Sequence, residues 1–529
     1  MSDELTVRRI LGDQPFAEIG RPVWVVADAR HGCVIAAGAL GHVMWRGTGH
    51  WLSHRIGVYE ADTFRPRHVV ASSYPVCAVE PHPELPLVAV GTGRYDGSWD
   101  FQGQPLLLYL ETGRVTNPLS RSRQVRHLRW LEDGRLAMLL SPEDKDGGFR
   151  EGFELAVAVD DWLSAPAGLV DPDHTRHPRV ESGLLHDPHA EDTLARLTGG
   201  RWRRRAQVRD LAVLADGRVL ATGSHTDLEC WDPSGALKWA LPADGEGSVQ
   251  VVTAPDDDSA WVTYRGYRHD EVTGRPVDRA TTVRRISTAD GDAVDCVDVP
   301  SRPALHAADE GWLGLRPQGR DAHAALLFAP THQEAARLAL APSRSNPPTL
   351  RVRHSARLLD VDGPGPSDDA PWIHVIDPPG AHGPATRRAL FPLRWDPASA
   401  LQPSYGPAVE LTHTLVHAGR SYEPGATYVE AREGTYVVSR RLPDGEARWV
   451  YATDKPLADL DGDERRVYVV YLTGEVEILD TATGEVRARH TLHAHDHPVT
   501  PVSAAYRAEQ RRLVVGTVDG RILDCSVPG

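Results

Sequence analysis

The sequence predicts an all-β protein built from repeated short sheets, and three segments carry that prediction. Residues 208 to 241 read VRDLAVLADGRVLATGSHTDLECWDPSGALKWAL, residues 457 to 492 read LADLDGDERRVYVVYLTGEVEILDTATGEVRARHTL, and residues 499 to 527 read VTPVSAAYRAEQRRLVVGTVDGRILDCSV. Each has an apolar strand, a polar turn with Asp or Glu, a second strand ending near Gly, Ser or Thr, a tight turn, and a third strand ending near Asp. The first two add a turn with Gly and a fourth strand. Four short strands in about 35 to 45 residues, with turn signals between them and almost no helical periodicity, is the pattern of a propeller blade.

Weaker copies run through the rest of the chain. VWVVADARHGCVIAAGALGHVMW with RIGVYEADTFRPRHVV is one, VCAVEPHPELPLVAVGTG with PLLLYLETGRVTNPL another, and VRHLRWLEDGRLAMLL with FELAVAVDDW a third. Between 248 and 453 the units are more degenerate: VQVVTAPDDDSAWVTYRGY, ALHAADEGWLGLRPQG, WIHVIDPPG and TYVVSRRLPDGEARWVYATD. The count is seven to ten four-stranded units, arranged as one propeller with insertions or as two propellers in tandem. A four-stranded sheet has two faces to bury, and neighbours stacked around an axis cover both.

The turns CWDPSG at 230 to 235, LDTATGEV at 479 to 486 and LYLETGRV at 108 to 115 resemble the end of the third strand and the following turn of a WD40 blade. WVYATDKPLADLDGDERRVYVV is similar to the related quinoprotein-like propellers. The resemblance covers about half of the chain, and Trp231-Asp232 is its one literal WD dipeptide. It implies a ring of blades. The last segment has only three strands, so LTVRRIL at 5 to 11 is expected to supply the fourth, pairing with the last blade and removing an exposed edge.

In the same resemblance, His495 followed by Val499 falls at the family's Gly-His turn, with Ala494 in place of Gly. Thr517 and Asp519 fall at its Ser/Thr and Asp partners, and Cys525 where its Trp would stand. The resemblance therefore implies a buried network of His495, Thr517 and Asp519. The competing reading takes His493, His495 and His497 as a metal site, but HAHDH departs by one residue from the HxHxDH motif of metal hydrolases.

Composition narrows the function classes. The chain of 529 residues is 41% hydrophobic and 25% charged, with no apolar run approaching the roughly 18 to 20 residues that span a bilayer. MSDELTVRRILGDQPFAEIG lacks the pattern of a secretory signal, so a cytoplasmic protein is expected. Cys33, Cys77, Cys230, Cys296 and Cys525 are widely spaced in strand-like runs and read as buried thiols. The net charge of −15 argues against general nucleic-acid binding. Of the 58 basic residues 55 are arginine, which with the abundant Ala, Gly and Pro points to a GC-rich bacterial coding bias.

Two stretches stand out as contact surfaces. Residues 165 to 207 interrupt the strand pattern, hold His174, His177, His186 and His189, contain a short helical pattern in AEDTLARL, and end in RWRRR. They read as an insertion or long loop, with Trp202, Arg203 and Arg204 as partner contacts. GHVMWRGTGHWLSHR, with His42, His50 and His54 beside Trp45 and Trp51, reads as a hairpin with an aromatic tip for partner contact. The acidic stretches PDDDSA at 255 to 260 and DLDGDE at 459 to 464 read as turns between strands rather than calcium loops. No phosphate loop, HExxH or GxSxG is present. The expected function is a non-catalytic protein-interaction scaffold in a bacterial multi-protein system, with no cofactor. The alternatives are a propeller hydrolase or lyase with a His/carboxylate site at the channel mouth, and a small-ligand sensor.

Overall fold

The computed structural model describes residues 5–40, 54–95, 101–142, 151–172, 177–180, 186–205, 207–243, 247–264, 267–269, 276–278, 281–299, 303–308, 310–317, 324–331, 333–339, 350–364, 371–380, 383–393, 405–422 and 433–527. They are built largely on antiparallel sheets and fall into two compact units, one of described residues within 14–205, the other of residues 5–13 and described residues within 207–527.

The smaller unit holds three four-stranded sheets. Sheet A is Arg21–Asp28, Cys33–Ala39, His54–Glu60 and Pro66–Ser72. Sheet B is Val76–Pro81, Leu87–Thr92, Pro105–Tyr109 and Val115–Thr116, and sheet C is Val125–Trp130, Leu136–Leu140, Glu151–Val157 and His177–Val180. Sheets A and B share one apolar core through Ile35, Val58, Val88 and Leu106, and B and C another through Leu107, Tyr109, Met138 and Leu155. The stretch 165 to 207 is thus part strand and part helix. His177–Val180 is the fourth strand of sheet C, and Ala190–Leu197 is an α-helix. Glu191 and Asp192 in the helix's first turn and Arg196 in its last suit the helix dipole. Ala190 and Leu194, one turn apart, bury themselves against Phe16, Ile19 and Tyr59.

Among the described residues, the larger unit holds seven sheets of three or more strands. Sheet D is Val208–Val213, Val219–Gly223, Thr226–Trp231 and Leu237–Pro242; sheet E is Ser248–Thr253, Ser259–Tyr264, Thr281–Ser287 and Ala293–Val299; sheet F is Pro303–Ala307, Leu313–Pro317, Ala324–Phe328 and Glu334–Ala339. Sheet G has three strands, Leu358–Pro364, Pro371–Asp377 and Thr386–Pro392. Sheet H has five: Arg351–Arg353 lies parallel to Tyr405–Glu410, followed by Thr414–Tyr422, Glu433–Arg441 and Ala447–Thr453. Sheet I is Leu457–Gly462, Arg466–Tyr471, Glu475–Asp480 and Val486–Thr491. Sheet J is Pro501–Arg507, Arg512–Thr517 and Ile522–Ser526, with Thr6–Leu11 as its fourth strand in the register Thr6 to Ser526 and Leu11 to Ile522.

Consecutive sheets of this unit share cores. Leu220, Leu228 and Cys230 of D meet Val251 and Val262 of E, and Trp261 and Val283 of E meet Leu315 and Phe328 of F. Leu327 of F meets Leu358 and Ile376 of G, and Val375 and Phe391 of G meet Ala408 and Leu415 of H. Val416 and Val437 of H meet Val467 and Val469 of I, and Tyr468 and Ile478 of I meet Ala504 and Val515 of J. Ala505, Val514 and Ile522 of J then meet Val208, Leu211 and Val219 of D.

Two polar devices repeat on top of this packing. The first strand of sheets D, E, I and J, the leading strand, carries a bulge one residue in, and the residue after it reaches the next sheet. Asp210 Oδ2 accepts from Val251 N at 2.8 Å, Asp459 Oδ2 accepts from Ala504 N at 2.7 Å, and Ser503 Oγ donates to Val208 O at 2.7 Å. Gln250 spans both groups of Leu305, donating to its O at 2.8 Å and accepting from its N at 3.0 Å. The second device lies at the outer strands. Trp239 Nε1 donates to Thr288 O at 3.3 Å, and Trp449 Nε1 to Thr481 O at 2.9 Å. Each indole lies over a turn glycine, Gly291 or Gly484, where φ is +85° or +74° and a Cβ would come within 2.9 or 2.6 Å of the ring. Those glycines belong to the turns TADGDA and TATGEV, so the turn motif doubles as a landing surface for its neighbour.

Candidate functional site

The leading strands converge on the strand Arg351–Arg353. Residues two apart in a strand point to one side, so the pattern Arg-Val-Arg sends both guanidiniums the same way. They meet carboxylates from two other sheets. Arg351 Nη2 pairs with Asp210 Oδ1, and Arg353 Nη2 lies 3.0 Å from Asp459 Oδ2 and 3.5 Å from Asp210 Oδ1. Arg353 Nε lies 3.9 Å from Asp461 Oδ2, whose other oxygen is 2.9 Å from His354 Nε2. Asp210, Asp459 and Asp461 are all buried, while His354 is about half exposed (46%).

The carboxylates are also held by backbone. Asp210 accepts from Leu211 N and Val251 N, Asp459 from Leu460 N and Ala504 N, and Asp461 from Gly462 N and Tyr506 N. Burial pushes the Asp461 carboxyl up, but His354, Arg353 and the Tyr506 N–H outweigh it and hold it below the usual carboxylate range. Burial also pushes the Asp210 carboxyl up. All four of its partners are donors, however, so both oxygens act as acceptors and the ionised form is the one this geometry suits. Burial lowers the Arg353 guanidinium, yet Asp459, Asp461 and Asp210 together raise it, so it stays charged.

Beside this cluster opens a cavity of about 390 Å³. Its walls come from the leading strands of D, E, F and J, from Arg351–Arg353, and from His354 and Asp461. Asp257 and Arg507 stand at its edge, Asp257 accepting from Ala215 N at 2.6 Å and Arg507 Nε lying 3.0 Å from Glu509. His354 and Asp257 both have left-handed backbones, φ +52° and +58°, a conformation that costs a non-glycine residue energy and is met at ligand sites more often than elsewhere.

The residues singled out by the sequence are placed differently. Thr517 Oγ1 donates to Asp519 Oδ1 at 2.6 Å, but His495 is not the third member. It is 57% exposed and its Nε2 lies 2.8 Å from Asp13 Oδ2. The inner position is taken by Arg521, fully buried, which pairs with Asp519 at 2.8 Å and whose backbone N–H donates to Thr517 Oγ1 at 3.0 Å. Arginine can fill a role expected of histidine because its guanidinium reaches further and engages both carboxylate oxygens. His493 is bonded to Thr491 O, so the three imidazoles do not converge, and among the described residues no group of three or more His, Cys, Asp or Glu could hold a metal ion.

Trp202 is a second correction. It is 7% exposed and packs with Leu194 and Phe16, so it anchors the RWRRR stretch rather than contacting a partner. Arg203 and Arg204 are exposed, Arg204 lying 3.6 Å from Glu191. Trp45 and Trp51 lie outside the described residues, as do His42, His50 and His174. Cys33, Cys77, Cys230 and Cys525 are buried, but Cys296 is exposed on the outer strand of sheet E. PDDDSA forms a turn, whereas Asp459 and Asp461 of DLDGDE lie inside a leading strand. Their signal was in the sequence. Aspartate is disfavoured inside strands, and it recurs at the same place in VRDLAV and LADLDG.

No protein-family model matches the chain, and no curated protein matches it. Among solved structures, hydrazine synthase of Kuenenia stuttgartiensis is 11% identical, with a TM-score of 0.41 over 59% of this chain and 93% of that one. A computationally designed protein, Ika8, is 12% identical with a TM-score of 0.37 over 61% and 97%. Likeness at this level carries no argument about function. No helix among the described residues is long and apolar enough to cross a membrane.

Proposed function

We propose that the larger unit is a seven-bladed propeller of the WD40 or quinoprotein-like kind, and that the chain is a non-catalytic scaffold for protein–protein interaction in a bacterial multi-protein system. The observation that carries the ring is the sequence of shared cores, which runs from sheet D through J and returns to D. In such a ring every sheet face is covered, and the loops at the rims are held by a rigid body. Sheets A to C share two cores, and the helix covers part of sheet A, which favours an open array over a second ring.

The scaffold reading is supported by the point of convergence. Two of its carboxylates, Asp210 and Asp459, are occupied by the chain's own arginines and backbone N–H groups, which leaves neither open for general acid or base work. The exposed Arg201, Arg203 and Arg204, anchored by Trp202, form a basic surface in a chain of net charge −15 and suit an acidic protein face. The test is affinity capture with the full chain in its native cell, alongside an Arg203→Glu/Arg204→Glu variant. A small, fixed set of proteins recovered with the parent and lost with the variant is expected. A chain that is recovered alone under crosslinking overturns the reading. One observation favours a hydrolase or lyase instead: the His354 and Asp461 pair at the cavity. Turnover of a substrate that is abolished in His354→Ala would decide for it.

A further inference from the structure

In sheets D, E, F, H, I and J the first strand of the hairpin pairs antiparallel with the next across a turn of three to five residues. Sheet G departs from that plan, because among the described residues it begins at Leu358–Pro364, the second position. The strand just before it, Arg351–Arg353, is separated from it by the four residues 354–357, a turn of the usual length, yet it pairs in parallel with Tyr405–Glu410 of sheet H. It stands as the leading strand of sheet G displaced onto its neighbour. Two contacts suit the displacement. Arg316 of sheet F donates to Val361 O on the strand left behind, and Glu410 of sheet H accepts from Ser355 Oγ and lies 2.8 Å from Arg357 Nε. His354 sits at the point of departure with a left-handed backbone, and its ring spans to sheet I, where Asp461 is buried.

We propose that the His354–Asp461 pair is a pH-sensitive latch that holds the displaced strand against sheet I and closes one wall of the cavity. Residues 351–355 form that wall. The two arginines of the strand keep their charge across the physiological range, whereas an imidazole does not. With its second proton, His354 makes a charge-assisted bond of 2.9 Å to Asp461 Oδ1; without it, the contact is a neutral one from a half-exposed ring that water can compete for. Asp461 tolerates the loss, since it still accepts from Gly462 N and Tyr506 N and has Arg353 Nε at 3.9 Å. The other charged groups around the ring are Arg353 on its own strand, Asp459 on sheet I, Arg507 of sheet J, and Asp257 of sheet E across the cavity. Guanidiniums and carboxylates ordinarily hold their charge between pH ~6 and ~8.5, so the imidazole is the group that changes. A carboxylate partner favours the charged ring, so docking is firm below pH ~6.5 and weakens as pH rises above it. The latch does not rest on the scaffold reading, because it is read from the strand itself.

The experiment is amide hydrogen exchange of the full chain at pH ~6 and ~8.5, read by mass spectrometry and corrected for the intrinsic exchange rate at each pH. Protection of residues 351–355 is expected to fall by about five- to tenfold over that range, the effect of losing one charged pair with a buried member. Residues 513–515, deep in sheet J, should keep theirs. His354→Lys, whose ammonium stays charged, should hold the strand's protection at both pH values, and His354→Gln should show the lower protection at both. Both variants change a half-exposed side chain, so the fold should survive them. Equal protection at the two pH values in the parent overturns the proposal. So does a pH dependence that survives in His354→Gln, which would assign it to Asp257, a carboxyl that burial pushes up. A loss shared by residues 513–515 also overturns it, because the change would then belong to the whole unit and not to the strand.

Discussion

Asp210 Oδ2 accepts the N–H of Val251 at 2.8 Å, across the boundary between sheets D and E. The same bond recurs from Asp459 to Ala504, and Ser503 and Gln250 make its equivalents to Val208 and Leu305. Sheets that pack only through apolar side chains can slide, because dispersion contacts have little direction. A hydrogen bond from a side chain of one leading strand to the backbone of the next fixes their relative height, since the acceptor must meet one N–H and not its neighbour. The bulge before each of these residues gives the side chain its aim.

Asp459 has a larger task than Ser503, because it also meets Arg353. Asp459→Ala should therefore leave a buried guanidinium short of its partner and cost about 3 to 5 kcal/mol. Ser503→Ala removes one neutral bond and should cost only about 1 kcal/mol. Asp459→Asn keeps the backbone contact and loses the charge, so its stability should fall between the two. Denaturant unfolding of the three variants checks the order, and equal losses would show that the ion pair adds nothing to the bond.

Much of this architecture is readable from the sequence, and some of it is not, for identifiable reasons. The repeat is legible because a strand pair and its turn are local: VLATG and VYVVY alternate with turns that any chain of this composition would form. The place of Thr6–Leu11 follows from the missing fourth strand of the last unit. The His495 assignment fails because the resemblance fixes a position along the chain but not the direction in which a side chain points, and His495 sits at φ +55° and turns outward. Arg521 was hidden because a lone arginine in VDGRIL reads as a turn residue. The convergence site was hidden because its members, at 210, 351 to 354 and 459 to 461, are brought together only when the sheets assemble. Trp202 is missed for the opposite reason: among four arginines it looks solvated, and only the helix packed against it reveals a core residue.

Acid stability should be lost in two windows. His417 is buried beside Arg440, whose Nε donates to its Nε2 at 3.0 Å, and burial first and the guanidinium second push it down to about 3. The unfolded imidazole takes up a proton near pH ~6.5. The folded form is therefore favoured above that value, and stability falls as pH drops from ~6.5 toward ~3, at about 1.4 kcal/mol per pH unit. Replacing His417 with Gln should flatten this part of the curve, measured as unfolding free energy against pH.

Glu477 defines the lower window. Its buried carboxylate accepts from Tyr451 at 2.6 Å, Tyr471 at 2.8 Å, Arg489 at 2.9 Å and Lys455 at 3.1 Å. Burial raises it, but these four bonds outweigh burial and bring it down to about 2. The unfolded carboxyl titrates near ~4.3, so this contribution is complete above about pH 5 and is lost as pH falls through ~4 toward ~2. Glu477→Gln should remove that lower slope while leaving the His417 window unchanged. A single broad acid transition that both variants alter equally would contradict the assignment.

The pairing of Asp519 with Arg521 gives a sharp contrast with His495. Asp519→Ala strands a fully buried guanidinium and should cost about 3 to 5 kcal/mol, whereas His495→Ala removes an exposed contact to Asp13 and should stay within about 0.5 kcal/mol. If His495→Ala were the more damaging of the two, the network expected from the sequence would be restored and the one described above rejected.

The turn glycines make the last prediction. Gly484 needs a left-handed backbone, and any Cβ there would lie 2.6 Å from the indole of Trp449 on the neighbouring sheet. Gly484→Ala therefore meets two penalties, one from φ and one from the displaced ring, which also loses its bond to Thr481 O. A turn glycine with open space around it, such as Gly134 at φ +81°, meets only the first. Gly484→Ala should cost about 2 to 3 kcal/mol and Gly134→Ala about 1 kcal/mol. Introducing Trp449→Ala into the Gly484→Ala chain should recover part of the loss, because the clash is removed. Additive effects in that double variant would mean that the indole and the glycine are not coupled, and that the outer-strand contact does not help to hold sheet H against sheet I.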